Sequence, residues 1–156
     1  MSTGLRLMPI AELRTRRKVE FADTDMGGIV HFSRFFVYME SAEHELLAAA
    51  GTAVHFEHEG QLLGWPRRTA CCDYRSPARL GDVLDIHVRV ARKGASSMAY
   101  AFTFTCRERE VARGRLASVC CVLGDGRPRP VRIPAFLAER LAEDPQAAAE
   151  DGDVRR

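Results

Sequence analysis

The sequence predicts an α+β fold in which a curved antiparallel sheet wraps around one long central helix. A helical pattern of apolar residues over 33–50 is followed by segments in which apolar and polar residues alternate, as they do in half-buried strands. The helix carries apolar side chains on more than one face, so other elements must surround it. With 156 residues, 46% of them hydrophobic, the chain has the size and composition of one folded domain.

The first predicted element is a strand within residues 13–22, where basic residues give way to an apolar end. Residues 23–28 follow, with the sequence Asp-Thr-Asp-Met-Gly-Gly, which is dense in turn-forming residues. This turn leads into the helix, so its polar side chains are expected to lie close to the N-terminus of the helix.

The helix is predicted over residues 33–50, because its apolar residues are spaced alternately four and three apart. These residues are Phe35, Met39, Ala42, Leu46 and Ala49. Ser33 is suited to cap the N-terminus, and Gly51 is suited to end the helix in the left-handed conformation.

Four strands are predicted after the helix, and the alternation is clearest in the second and third of them. They cover residues 68–75, 83–91, 98–105 and 111–123. Pro134 then opens a short amphipathic helix. We assign a single domain to residues 1–142, with its core at about 14–134. Residues 143–156 are rich in alanine and charge and show no apolar period, so we expect a flexible tail there.

Composition excludes several classes of protein. The net charge of +2 is too small to indicate a nucleic-acid-binding protein. The five cysteines are an odd number without a C-x-x-C motif, which argues against a disulfide framework and a zinc ribbon. No apolar run resembles a signal peptide or a membrane span. We therefore expect a cytoplasmic protein that binds neither nucleic acid nor membranes.

The histidines do not predict a metal site. His55 and His58 are closely spaced, but no third ligand is evident, and we expect them to lie in an exposed loop. His44 and Glu45 begin like a zinc-protease helix, but Ala48 occupies the position of the second histidine.

The most specific signal lies in residues 21–40, which read F-A-D-T-D-M-G-G-I-V-H-F-S-R-F-F-V-Y-M-E. This segment resembles the signature of the hotdog-fold 4-hydroxybenzoyl-CoA thioesterase family, in particular its acyl-CoA thioesterase branch. Residues 74–82, Y-R-S-P-A-R-L-G-D, are similar to the link between the second and third strands of that family. The resemblance covers roughly residues 14–134 and implies the hotdog fold.

The resemblance implies hydrolysis of an acyl-CoA thioester to a free acid and CoA. It implies that Asp25 is the catalytic carboxylate and that the backbone N–H of Phe32 holds the thioester oxygen. Helix chemistry fits this, because the first turn of a helix offers unpaired N–H groups and a positive dipole end to an oxyanion. Whether Asp25 attacks directly or activates water stays open. For Asp23 we favour a structural role in the turn.

Three neighbours of Asp25 complete the predicted site. Gly28 lets the backbone bend and the substrate approach without a side-chain clash, and Val30 is predicted to bind substrate beside it. His31 stands where the family often has Tyr or Trp, and it either assists catalysis or lines the pocket. If Asp25 is not the catalytic carboxylate, Glu40 or Glu43 on the helix is the next candidate.

A basic turn between two of the strands is a candidate site for the CoA phosphates. Arg92 and Lys93 lie in this turn and Ser97 follows, and basic groups of this kind bind phosphates well. The resemblance implies such a role for residues near this hairpin. An ordinary solvated turn fits the same charges equally well.

The resemblance also implies a homo-oligomer, either a dimer or a tetramer, with pockets between protomers. Dimerisation would cover the unpaired edge of the sheet. No metal or redox cofactor is needed, since coenzyme A is part of the substrate. Two alternatives remain. One is a thioesterase that acts on carrier-protein-linked acyl chains. The other is a non-catalytic acyl-CoA-binding module, against which the carboxylate of Asp25 counts.

Overall fold

The computed structural model describes residues 7–154 and confirms the predicted α+β architecture. The strands are β1 (Glu12–Lys18), β2 (His55–His58), β3 (Gln61–Gly64), β4 (Arg67–Tyr74), β5 (Val83–Lys93), β6 (Ser97–Cys106), β7 (Arg109–Val119), β8 (Cys121–Val122) and β9 (Arg129–Pro130). The α-helices are α1 (Arg34–Ala49), α2 (Ala135–Ala138) and α3 (Pro145–Val154). A five-stranded antiparallel sheet has the order β1-β5-β6-β7-β4, and a smaller sheet has the order β2-β3-β8-β9. The order of the larger sheet leaves β1 and β4 at its edges.

Helix α1 lies against the inner face of the larger sheet, where most of the core is found. Met39, Leu46 and Leu47 of the helix are fully buried, as are Phe102 and Phe104 of β6. Each such side chain contributes about 1.5–3 kcal/mol when it leaves water. At Gly114 of β7 the helix comes so close that a Cβ would overlap Sδ of Met39. The bare backbone at Gly114 therefore allows the helix to pack closely on the sheet. Gly51, with φ of 83°, follows the helix in the left-handed conformation, as predicted.

The four strands predicted after the helix correspond to β4, β5, β6 and β7, but the smaller sheet was not predicted. His55 and His58, expected in an exposed loop, instead lie at the two ends of β2 and pair with β3. The turn between these strands is formed by Glu59 and Gly60, whose φ values of 50° and 75° are both positive. Such turns form tight hairpins, but a glutamate in the first position is a weak sequence signal for them.

The C-terminal segment differs from the flexible tail expected for residues 143–156, because α3 packs on the outer face of the larger sheet. The backbone carbonyl and the carboxylate of Asp144 accept the N–H groups of Ala148 and Ala147 at the start of α3. Asp151 is buried against Arg115 of the sheet. Ionic contacts with arginines of the sheet thus hold α3 in place. Such contacts leave no apolar periodicity in the sequence, so the helix was not predicted. Residues 155–156 lie outside the described part of the chain.

All five cysteines are free. Burial raises the pKa of Cys72 and of Cys120 to about 11, so both thiols are protonated at neutral pH.

Between residues 7 and 154, no helix has the length and apolar character that a membrane span requires.

Candidate active site

The turn that follows β1 is a tight hairpin whose two arms carry the predicted catalytic residues. The N–H of Asp25 donates to the carbonyl of Ile29 at 2.9 Å, and the N–H of His31 donates to the carbonyl of Asp23 at 2.8 Å. Thr24 pairs with Val30 between them. Side chains alternate along paired arms, so Asp25 and His31 project from the face opposite to buried Val30.

The carboxylate of Asp25 is exposed and only partly engaged by the protein. Its Oδ1 accepts the N–H of Gly27 at 2.8 Å, which fixes the side chain over the turn. Within residues 7–154, Oδ2 accepts no hydrogen bond and no cation pairs with this carboxylate. One oxygen is therefore held in place while the other is free to meet water or a substrate.

Asp23 has the contacts of a structural residue. Its Oδ2 accepts the N–H of Glu20 at 2.9 Å, and its Oδ1 lies 3.6 Å from Nε of Arg34. Burial, together with the nearby carboxylate of Asp23, raises the pKa of Tyr38. The contacts with Glu20 and Arg34 tie the turn to the start of α1 and support the interpretation of Asp23 as a turn-forming residue.

The peptide group between Phe32 and Ser33 is held from both sides at the start of α1. The carbonyl of Phe32 accepts the hydroxyl of Tyr74 at 2.9 Å. The N–H of Ser33 donates to Nδ1 of His31 at 3.3 Å. The N–H of Phe32 itself has no acceptor anywhere in the described part of the chain. Its position is therefore fixed, and its hydrogen is available to an oxyanion.

The two motifs that carry the family resemblance meet in space. The N–H of Val30 donates to the carbonyl of Ala78 at 2.8 Å, and Nη1 of Arg79 lies 3.4 Å from the carbonyl of Gly28. Gly28, with φ of 74°, is exposed and turns the backbone as predicted. Val30 was predicted to bind substrate, but it is 4% exposed and packs in the core. We therefore no longer assign a substrate contact to its side chain.

The structure separates Lys93 from the rest of the predicted phosphate site. Its ammonium donates to the carbonyls of Ala138 and Leu141, at 2.7 and 2.8 Å, and its own N–H donates to Glu143. Lys93 therefore fastens the segment around α2 to the sheet. The prediction that Lys93 binds CoA is corrected, because two of the three ammonium N–H groups already donate to carbonyls that hold the segment around α2.

Arg92 and Ser97 do share a cavity on the outer face of the sheet, with a volume of about 230 Å³. Its lining residues are Arg68, Thr69, Arg92, Ser97, Met98, Ala99, Arg115, Ala117 and Ser118. We call this cavity the arginine pocket. It combines three guanidinium groups with three hydroxyls, and of the three guanidinium groups that of Arg115 already pairs with Asp151. Sequence reasoning missed Arg68, whose only signal was its place at the start of a predicted strand.

The two glutamates considered as alternative catalytic groups have different surroundings. Glu40 is exposed and lies 3.7 Å from Nε2 of His44. Glu43 is 1% exposed and accepts Nη1 of Arg67 at 2.5 Å, and the same Nη1 also donates to Ser118 at 2.7 Å. Burial raises the pKa of the Glu43 carboxyl, although the Arg67 guanidinium acts against this. Glu43 therefore belongs to a buried ion pair.

In the part of the chain that the structure describes, no group of three or more His, Cys, Asp or Glu side chains is arranged to hold a metal ion.

Comparison with known proteins gives consistent matches. The profile of the thioesterase-like superfamily matches residues 19–141. A 1,4-dihydroxy-2-naphthoyl-CoA hydrolase of Synechococcus sp. (strain CC9605) is 30% identical over 127 residues, which cover 73% of this chain and 85% of that protein. The acyl-CoA thioesterase YbgC of Haemophilus influenzae is 25% identical over 75% of this chain and 85% of its own. The crystal structure of 4-hydroxybenzoyl-CoA thioesterase from Pseudomonas sp. strain CBS-3 has the same fold, with a TM-score of 0.73 over 83% of this chain and 99% of that one, at 18% identity.

Proposed function

This chain belongs to the thioesterase-like superfamily, and from that premise we propose that it is a hydrolase that converts an acyl-CoA and water to a free acid and CoA. The observation that carries the proposal is that one hairpin and the residue after it supply both catalytic groups. They are the Asp25 carboxylate, which has one oxygen without a hydrogen bond, and the N–H of Phe32, which has no acceptor among the described residues. The names of the two relatives, a naphthoyl-CoA hydrolase and an acyl-CoA thioesterase, support a CoA thioester as the substrate.

The chemistry needs two contributions from this site. The N–H of Phe32, at the positive end of α1, stabilises the negative charge that develops on the thioester oxygen. Asp25 either removes a proton from the attacking water or attacks the carbonyl carbon itself, and the resulting anhydride is then hydrolysed. In both routes the bond between the carbonyl carbon and sulfur breaks, and the CoA thiolate leaves without a strong general acid.

Whether the substrate is a CoA thioester or a carrier-protein thioester is tested by offering the same acyl chain on each of the two. Release of free thiol from acyl-CoA and from the matching acyl carrier protein is followed with the wild-type protein. We expect faster hydrolysis of the CoA thioester. Hydrolysis of only the carrier-protein thioester would replace our proposal with the carrier-protein alternative. Tight binding of acyl-CoA without hydrolysis would favour a binding module.

We propose that two protomers associate through strand β4. This edge strand is exposed along almost its whole length, and its central residues, 69–72, are uncharged. The opposite edge, β1, has the sequence ELRTRRK, whose charges disfavour edge-to-edge pairing. A two-fold axis would pair the strands antiparallel, so the Arg68 end of one would lie near the Tyr74 end of the other. The carbonyl of Phe32, which accepts the hydroxyl of Tyr74, would then lie near the Arg68 end of the partner's β4.

The active protein is expected to sediment as a homodimer or a dimer of dimers, because both protomers contribute to each pocket. Analytical ultracentrifugation at the concentrations used for kinetics checks this. Replacing Ala70 by Pro, which removes a backbone donor from the exposed edge strand, should weaken the assembly. A wild-type protein that is fully active as a monomer would contradict the shared pocket.

The double replacement of Arg68 and Arg92 by Ala is expected to raise KM for acyl-CoA several-fold while kcat changes little. Contacts with the CoA phosphates bind the ground state and the transition state alike, so their loss appears in KM. Steady-state thiol release at two salt concentrations is the measurement, and the variant should also lose part of the salt dependence of KM.

Two controls accompany the double variant. Replacement of the exposed Arg127 and Arg129 removes the same charge away from the arginine pocket and should leave KM unchanged. Lys93→Ala should lower thermal stability through its lost carbonyl contacts and leave KM near the wild-type value. A KM that rises for Lys93→Ala but not for the double variant would reverse our assignment.

A further inference from the structure

The hydroxyl of Ser33 does not cap the helix, although Ser33 occupies the N-cap position of α1. The residue is already in a helical conformation, with φ of −67° and ψ of −23°, and its side chain accepts no helical N–H. Its Oγ lies 2.7 Å from Nδ1 of His31 instead. The capping role that the sequence predicted is therefore wrong for this serine, and its hydroxyl serves the imidazole.

The contacts to Nδ1 determine which nitrogen of His31 carries the proton. The backbone N–H of Ser33 donates to Nδ1 at 3.3 Å, and a nitrogen that accepts an N–H cannot itself be protonated. In the neutral ring the proton must then lie on Nε2, and the hydroxyl of Ser33 donates to Nδ1 as well. Within residues 7–154, Nε2 of His31 has no hydrogen-bond partner. His31 thus presents one N–H donor, on the residue adjacent to Phe32.

The backbone around this donor is unusually well fixed. The N–H of Ser33 and the carbonyl of Phe32 belong to one peptide group, and the hydroxyl of Tyr74 holds its other side at 2.9 Å. The ring of His31 also packs against the ring of Phe32, with centroids 4.4 Å apart. Tautomer and ring orientation are therefore both determined by groups at the start of α1.

We propose that Ser33 is a positioning residue that holds His31 as its Nε2–H tautomer, and that this N–H is a second donor to the thioester oxyanion beside the N–H of Phe32. The inference rests on the proposed thioesterase function and adds to it a residue, Ser33, and the tautomer of His31. An oxyanion site can combine a backbone N–H with a side-chain N–H such as that of histidine. Asp25 on the opposite arm remains the carboxylate that activates the nucleophile.

Histidine tautomers are read directly by ¹⁵N NMR of the imidazole ring, and this measurement requires no substrate. The signals of His31 are assigned by their loss in His31→Gln. At a pH where the ring is neutral, we expect a pyrrole-like Nε2 and a pyridine-like Nδ1 in the wild-type protein. Ser33→Ala should shift the ring toward a mixture of tautomers, and Ser33→Thr should restore the wild-type pattern. A wild-type ring that carries its proton on Nδ1 would overturn the proposal.

Kinetics then tests whether the tautomer matters for hydrolysis. His31→Gln is expected to lower kcat by up to about 10²-fold, the lower end of the effect of losing one oxyanion donor. Ser33→Ala should lower kcat roughly fivefold, as expected for one neutral hydrogen bond, with KM unchanged. Ser33→Thr should recover the loss. If Ser33→Ala changed the tautomer but kept full kcat, the donor role of His31 would be excluded.

A structural role for Ser33 makes different predictions. Since its side chain makes no capping bond and its contact with His31 is exposed, Ser33→Ala should melt close to the wild-type temperature. A clearly lower melting temperature with a proportional loss of activity would overturn the positioning role. Ser41→Ala is the matched control, because this serine lies on the same helix and makes no side-chain hydrogen bond among the described residues. If the wild-type protein hydrolyses no acyl-CoA, the proposed function fails, and the oxyanion role fails with it. The tautomer is still decided by NMR.

Discussion

Replacement of Asp25 by Asn is expected to lower kcat by about 10²–10⁴-fold, the usual effect of losing a general base, and to leave KM close to its wild-type value. Asn keeps the shape of the side chain, and its oxygen can still accept the N–H of Gly27, so the hairpin should survive. Only the negative charge is lost. If Asp25 is the nucleophile rather than the base, the loss will be larger, because Asn cannot form the anhydride. Steady-state thiol release measures both constants.

Two carboxylates provide matched controls for Asp25. Asp23→Asn weakens the contact with Arg34, so it should lower thermal stability with a smaller effect on kcat. Glu40→Gln changes an exposed helix residue and should leave kcat unchanged. If Asp25→Asn kept almost full kcat while Glu40→Gln abolished activity, the catalytic carboxylate would lie on α1 and our site would be wrong.

Replacement of Arg67 by Met is expected to lower the free energy of unfolding by about 3 kcal/mol, since breaking a buried ion pair leaves its partner uncompensated. Glu43 is 1% exposed and would lose its cation. The carboxyl would then be driven to take up a proton. Neutralising an ordinary glutamate at pH 7 costs about 3–4 kcal/mol, which sets the scale of the loss. Urea unfolding at one fixed protein concentration measures it.

The control for Arg67 is Arg16, which pairs with Asp85 at 2.7 Å on the solvent-exposed side of the sheet. Arg16→Met should cost less than about 1 kcal/mol, because exposed ion pairs contribute little. Adding Glu43→Gln to Arg67→Met should recover part of the lost stability, since no charge then remains buried. If Arg67→Met were as stable as Arg16→Met, the Glu43–Arg67 pair would contribute no more to stability than an exposed ion pair does.

Apolar periodicity was sufficient to predict the central helix and the four strands after it. The burial of Met39 against Gly114, for example, follows from the same stripe that placed Met39 on the core side of the helix. Apolar periodicity did not predict the segments that ion pairs or backbone conformation hold in place. Helix α3 is attached through Asp151 and Arg115, and the β2–β3 hairpin depends on positive φ at Glu59, so neither leaves an apolar period.

Part of the candidate site was predictable because a motif confines it to one short stretch of chain. Asp25 and the N–H of Phe32 lie seven residues apart in that stretch. The remaining site residues come from distant segments or depend on hydrogen bonds that sequence does not specify. The hydroxyl of Tyr74 reaches Phe32 from the end of β4, and Arg68 joins Arg92 only because β4 and β5 belong to one sheet. Sequence alone could not show that Arg92 lines the cavity while the adjacent Lys93 donates to backbone carbonyls near α2.

The most direct test of the account compares release of free thiol by the wild-type protein and by Asp25→Asn across short, long, branched and aromatic acyl-CoAs. Asp25→Asn serves as the blank, because it keeps the fold and removes only the proposed catalytic charge. We expect the wild-type protein to hydrolyse at least one of these thioesters, with nearly all of that release lost in the variant. Equal release by both proteins, or no release from any acyl-CoA, would contradict catalysis by the Asp25 carboxylate.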